Sequence, residues 1–189
     1  MIRQFFPSLR PYPNIRDDLD PLAPRIRAII GLLLYIARRY EEALEELKKA
    51  LEFDPSHCMS YLYLGIVYIE LNKYQEALEF NMKFVECEEG ASGSYIFLAL
   101  AYTRAGKTED ARKILGELSE RSKKEYVSPA RVAAVYGALG EYDIAFDLLN
   151  KAYAERDNKM IQLNTNSIYD PLRSDPRFSA LLKKIGLEK

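Results

Sequence analysis

Residues 31–55 read GLLLYIARRYEEALEELKKALEFDP, and two helices can be traced in them. The first part is apolar on nearly every side and ends at Arg38. The second, from about Glu41 to Phe53, places Ala43, Leu44, Leu47, Ala50 and Leu51 on one stripe at helical spacing. Asp54–Pro55 ends it. Working outward, the same order returns at a fixed distance. Ala43, Ala77, Ala111 and Ala145 fall 34 residues apart. Twelve residues before each stand Gly31, Gly65, Ala99 and Ala133. Nine before stand Leu34, Tyr68, Tyr102 and Tyr136, and seven after stand Ala50, Phe84, Leu118 and Ala152.

A chain keeps such a register when each unit packs on a near-copy of itself. The small residues have a physical role. Two antiparallel helices approach closely only where one offers little bulk. Gly31, Ala43, Gly65, Ala77, Ala99, Ala111, Ala133 and Ala145 are therefore the expected repeat core. The period predicts an all-α solenoid: four helix pairs at 24–57, 58–91, 92–125 and 126–157. One unit departs from the pattern, with Asn81 where the others hold Leu47, Leu115 and Leu149, and Phe80 is expected to compensate. Within the units, Glu45–Lys49 is the expected helical ion pair. Gly106 suits a left-handed cap and Thr108 an N-cap.

Residues 1–23 hold Pro7, Pro11, Pro13 and Pro21, which disfavour helix, together with Phe5, Phe6, Leu9, Tyr12 and Leu19. Such an apolar extension is expected to lie along the array. It is one candidate cover for the first helix, which Ile26, Ile29, Ile30, Leu32, Leu33, Leu34 and Ile36 make apolar on nearly every side; a second copy of the chain, giving a homodimer, is another, and a lost domain is a third. After Asp157 the frame fails. Residues 158–189 read as a capping segment, with Asp175 as N-cap and Pro176 as first residue of a short helix that buries Phe178, Leu181, Leu182 and Ile185.

Composition narrows the function classes. Apolar residues make up 48% of 189, enough for a shared core, and the net charge of -1 leaves no basic excess for a general nucleic-acid surface. The longest apolar run, Ala28–Ala37, is too short to span a bilayer, and no secretory leader is written at Met1, so a cytoplasmic location is the default. Cys58 and Cys87 make no disulfide framework and are taken as reduced thiols. His57 is the only histidine, no phosphate loop occurs, and a Gly-x-Ser-x-Gly elbow is missing. No metal, cofactor or catalytic constellation is expected, and the chain reads as a non-enzyme.

The period, with its order of small, aromatic and turn residues, resembles the tetratricopeptide repeat over residues 24–157. Tyr40, Ala43, Ala50 and Pro55 stand in the family's places. The family's tryptophan position holds Arg27, Tyr61, Tyr95 and Pro129, so only the middle units keep an aromatic there. The phrase from Asp170 to Leu187 resembles the ending of repeat arrays in prokaryotic multidomain proteins, which carry an effector such as a winged helix, cyclase or kinase. The resemblance implies a right-handed superhelix with a C-terminal capping helix. It also implies a concave groove, lined by the first helices, that binds a protein or peptide. Carried over residue by residue, the groove positions include Tyr35, Met59, Leu62, Ile66, Ile69, Ile96, Leu100 and Arg104. The lysines and asparagine of a chaperone-tail clamp are replaced by Ala28, Leu32, Tyr63, Gly93 and Phe97. The groove is therefore expected to take an amphipathic or extended apolar segment, from a partner or from residues 1–23. A regulatory region of a larger enzyme or transcription regulator, and a self-associating structural module, are the alternatives.

Overall fold

The computed structural model describes residues 23–187; the expectation for the N-terminal extension lies outside them. Eight helices follow in pairs: α1 (Ala23–Ile36) with α2 (Tyr40–Phe53), α3 (Cys58–Glu70) with α4 (Tyr74–Cys87), α5 (Ser92–Arg104) with α6 (Thr108–Arg121), and α7 (Pro129–Ala138) with α8 (Tyr142–Ala154). Two 3-10 helices, η1 (Asn158–Gln162) and η2 (Ser167–Leu172), lead to α9 (Pro176–Lys184). Each helix packs on its partner, α2 packs on α3, and α4 on α5. Among the described residues there is no strand, and no helix is long and apolar enough to cross a membrane.

The close crossing inside each pair explains the period. A Cβ built on Gly31 would lie 2.6 Å from Leu47 Cγ, so any side chain there would force the two helices apart. Gly65 meets the Asn81 amide in the same way. All eight small residues of the register are buried. The turn inside each pair repeats too: Arg38, Asn72, Gly106 and Gly140 have φ of 59°, 58°, 73° and 80°. Glycine or asparagine adopts this conformation readily and arginine does not, so the first turn uses the least suited residue.

Four local expectations are corrected. Thr108 is the first helical residue, and the cap position falls to Lys107 without a side-chain bond, because the left-handed Gly106 turn leads straight into the helix. Lys49 pairs with Glu46 at 2.9 Å rather than with Glu45, since Glu46 is drawn inward by Arg27, also at 2.9 Å. Asn81 is itself fully buried, its Nδ2 donating to the Ala77 carbonyl at 2.8 Å, while Phe80 stacks on Tyr68 with centroids 5.4 Å apart. Finally, Cys58 and Cys87 form a disulfide, with Cα atoms 5.5 Å apart. In an antiparallel pair, the start of the first helix and the end of the second are neighbours. The 29-residue separation spans one such hairpin.

At the C-terminal end, Asp175 caps α9 by accepting from the Arg177 N–H at 2.9 Å. Helix α9 buries Phe178, Leu181 and Leu182. Its Arg177 bonds Asp143 of α8 at 2.8 Å and lies 4.3 Å from the Phe146 ring centroid; Lys184 covers Tyr153. Helix α9 thus covers part of the outer face of the last pair, while Ile144 and Tyr153 stay exposed.

Candidate functional site: the concave face

The first helices of the pairs, α1, α3, α5 and α7, place three ladders of equivalent residues side by side. They are Ala28, Leu62, Ile96 and Ala130; Leu32, Ile66, Leu100 and Ala134; and Tyr35, Ile69, Thr103 and Gly137. Of the residues expected to line the groove, Leu62, Ile66, Ile69, Ile96 and Leu100 are buried, Tyr35 and Arg104 are half-buried, and Met59 is 38% exposed. Leu62 and Ile66 pack with Phe84 and Phe97 in a cluster of their own, with Tyr35 and Tyr63 against it. Their contribution is to hold neighbouring units together.

Part of what covers the inner face comes from the chain's own C-terminal segment. Residues 158–172 form a strap across it. Met160, Leu163, Ile168, Tyr169 and Leu172 of the strap are buried. Gly137 of α7 lets Leu172 in: a Cβ there would lie 2.8 Å from Leu172 Cγ. Asp157 fixes the strap's base. It accepts from Ser128 Oγ at 2.6 Å, the Lys159 N–H at 2.9 Å and the Ala130 N–H at 3.2 Å. Burial pushes its carboxyl up, and these hydrogen bonds outweigh burial and hold it below the usual range.

The strap reaches as far as the first unit. Ser167 Oγ lies 2.5 Å from Tyr35 Oη and donates to Glu70 Oε1 at 2.7 Å. Because Ser167 spends its proton on the carboxylate, the Tyr35 hydroxyl donates to Ser167. Burial raises the Tyr35 phenol well above its ordinary value, so this relay stays protonated at neutral pH. Nearby, Arg131 lies 5.1 Å from the Phe97 ring centroid, and burial lowers its guanidinium from the ordinary value.

Beside the strap a cavity of about 300 Å³ opens between the ends of α3 and α5. It is lined by Ile69, Glu70, Asn72, Tyr74, Arg104, Ser167, Asp170 and Pro171. Its two carboxylates are engaged: Glu70 with Ser167, and Asp170 with Arg173 at 2.6 Å. Arg104 is not. Its Nε is buried without a hydrogen-bond partner, and the side chain makes no ion pair among the described residues. Sequence reasoning placed Arg104 and Ile69 on this face. It missed the strap, whose only signal was a set of apolar residues outside the 34-residue frame.

Two family models, each described as a tetratricopeptide repeat, match residues 24–57 and 46–79. The first match is the α1–α2 pair, and the second starts within α2 and runs through α3 into α4. A tetratricopeptide repeat protein from Parabacteroides merdae superposes with a TM-score of 0.54 at 17% identity, over 92% of this chain and 68% of that one. MamA of AMB-1 superposes with a TM-score of 0.47 at 18% identity, over 89% and 85%. At 17% identity the first of these likenesses is one of fold. No curated protein matches the chain. Residues 24–79 thus carry tetratricopeptide repeats, and the repeated close crossings and turns continue that helix-pair architecture through residue 154.

Proposed function

We propose that the chain is a non-catalytic scaffold that holds a segment of another protein on its concave face, at the cavity beside the strap. One observation carries this reading. Arg104 offers a half-buried guanidinium with no partner among the described residues, walled by Ile69, Tyr74 and Pro171. A buried cation left unpaired is costly, and a ligand that supplies a carboxylate or carbonyl oxygen removes that cost. The lining is mostly polar, with Glu70, Asn72, Ser167 and Asp170 around Arg104, and it suits a segment whose one carboxylate or carbonyl oxygen meets Arg104 while its other polar groups are hydrogen-bonded. Tyr35 extends the same face into the first unit, and Met59 stands at the far end of α3 from the cavity.

The strap bears on access. It already holds Tyr35 and Glu70 through Ser167, so a partner longer than the cavity competes with it. The test is affinity capture with the full chain against Arg104→Ala and Met59→Glu, each checked for fold by circular dichroism. Partners retained by the wild type and lost by both variants support the assignment. An unchanged partner set with both folds intact would refute it.

A further inference from the structure

The first helix presents a second apolar surface, at the opposite end of the array from α9. Ile26, Ile29, Leu33 and Ile36 are 46%, 56%, 47% and 56% exposed. Their spacing of three, four and three residues puts them on a single stripe, the pattern of a helix that expects another helix alongside. The repeat register says what kind of element belongs there. Ser60 and Val67 of α3, and Ser94 and Ala101 of α5, stand in the places of Ile26 and Leu33, and all four are at most 1% exposed. Those helices are covered by the second helix of the preceding pair, α2 on α3 and α4 on α5.

We propose that this stripe is the docking surface for an acidic amphipathic helix of a partner protein, laid on α1 as α2 lies on α3. Side-chain size sets the partner's inner face. Isoleucine and leucine stand where the later units have serine, valine and alanine, so the incoming helix must be small-residued opposite them. Charge sets its flanks. Helix α1 carries no acidic residue in its first turn, Arg25 borders the stripe, and Arg38 follows its end; neither arginine makes an ion pair among the described residues. A second copy of α1 would set arginine against arginine in either orientation. Residues 1–22 contain no proline-free run longer than seven residues, against the 14 of α2 and of α4.

The experiment uses the full chain and a helix-stapled, fluorescent peptide of the α2 sequence, Tyr40–Phe53, which combines Ala43 and Ala50 with Glu41, Glu42, Glu45 and Glu46. Anisotropy should show saturable binding. Ile29→Glu in the chain should weaken it more than tenfold with the circular dichroism spectrum unchanged. A peptide with those four glutamates changed to lysine should bind at least tenfold more weakly. Absent binding, or binding indifferent to Ile29→Glu, overturns the proposal. So does a dimer in sedimentation that Ile29→Glu dissolves, which would make a second copy the occupant. A tenfold gain in peptide affinity on deleting residues 1–22 overturns it as well, because the chain's own extension would then hold the site. Capture at the concave face depends on Arg104 and not on Ile29, so the two readings fail separately.

Discussion

Asn81→Leu should stabilise the protein. The side chain is fully buried, with its Oδ1 lacking any hydrogen-bond partner. An orphaned buried acceptor costs roughly 1–3 kcal/mol. Leucine has the same number of side-chain heavy atoms and the same branching, and the other units show that the site accepts it. Leu47 occupies this register against Gly31, as Asn81 does against Gly65. The Nδ2 bond to Ala77 is lost with the asparagine, but that carbonyl lies within α4 and keeps its helical environment. Setting about 1 kcal/mol for the lost bond against the removed orphan and the added apolar burial leaves a gain of about 2 kcal/mol. For a chain of this size that corresponds to a melting temperature higher by roughly 4–8 °C. Urea unfolding followed by far-UV circular dichroism is the assay, with the slope compared so that a change in midpoint can be read as a change in stability. Asn81→Ala serves as the control and should lower the midpoint by opening a void. If Asn81→Leu leaves the midpoint unchanged or lowers it at constant slope, then Oδ1 is not the liability described and the reasoning fails.

Two further outcomes follow from the ends of the hairpins. Reducing the Cys58–Cys87 bond, or replacing Cys87 with serine, should cost about 3.5 kcal/mol through the loop it closes, read as a lower urea midpoint; equal midpoints for oxidised and reduced protein would discount the link. The Asp157 carboxyl is held below its unfolded value near 3.9, so its contribution is present above about pH 4 and is lost as pH falls through the lower folded value. Asp157→Asn should therefore flatten the acid limb of the stability profile below about pH 4, and an unaltered limb would place the acid sensitivity elsewhere.

The sequence made legible whatever repeats. Ala43, Ala77, Ala111 and Ala145 are spaced evenly because each lies at an equivalent crossing, and those crossings are in the structure. The turns repeat in backbone conformation, yet their residues, Arg38, Asn72, Gly106 and Gly140, share no chemistry, so only the glycines announced themselves. The disulfide was missed: Cys58 and Cys87 were expected as thiols because two cysteines make no framework, although they stand at the two ends of one antiparallel hairpin. The strap was not. Ser167 meets Tyr35 from 132 positions away, and nothing periodic relates the two. Offsets identified which residues face inward, but an offset carries no information about a segment that folds back over them. The expected cover, where there was one, was the N-terminal extension; the structure puts residues 158–172 on that face instead.

The strap also gives the protein a chronology. Chains emerge from the ribosome N-terminus first, at roughly 5–20 residues per second. By the time α8 has emerged, every helix that builds the concave face is outside the ribosome, and Ser167, Ile168, Tyr169 and Leu172 have yet to emerge. At that rate the 18 residues from Glu155 to Leu172 take about one to four seconds. A segment that arrives in this interval meets Tyr35, Glu70 and Gly137 bare. One that arrives later must first lift a piece of the finished molecule away. The concave face is thus barer during synthesis than in the finished molecule.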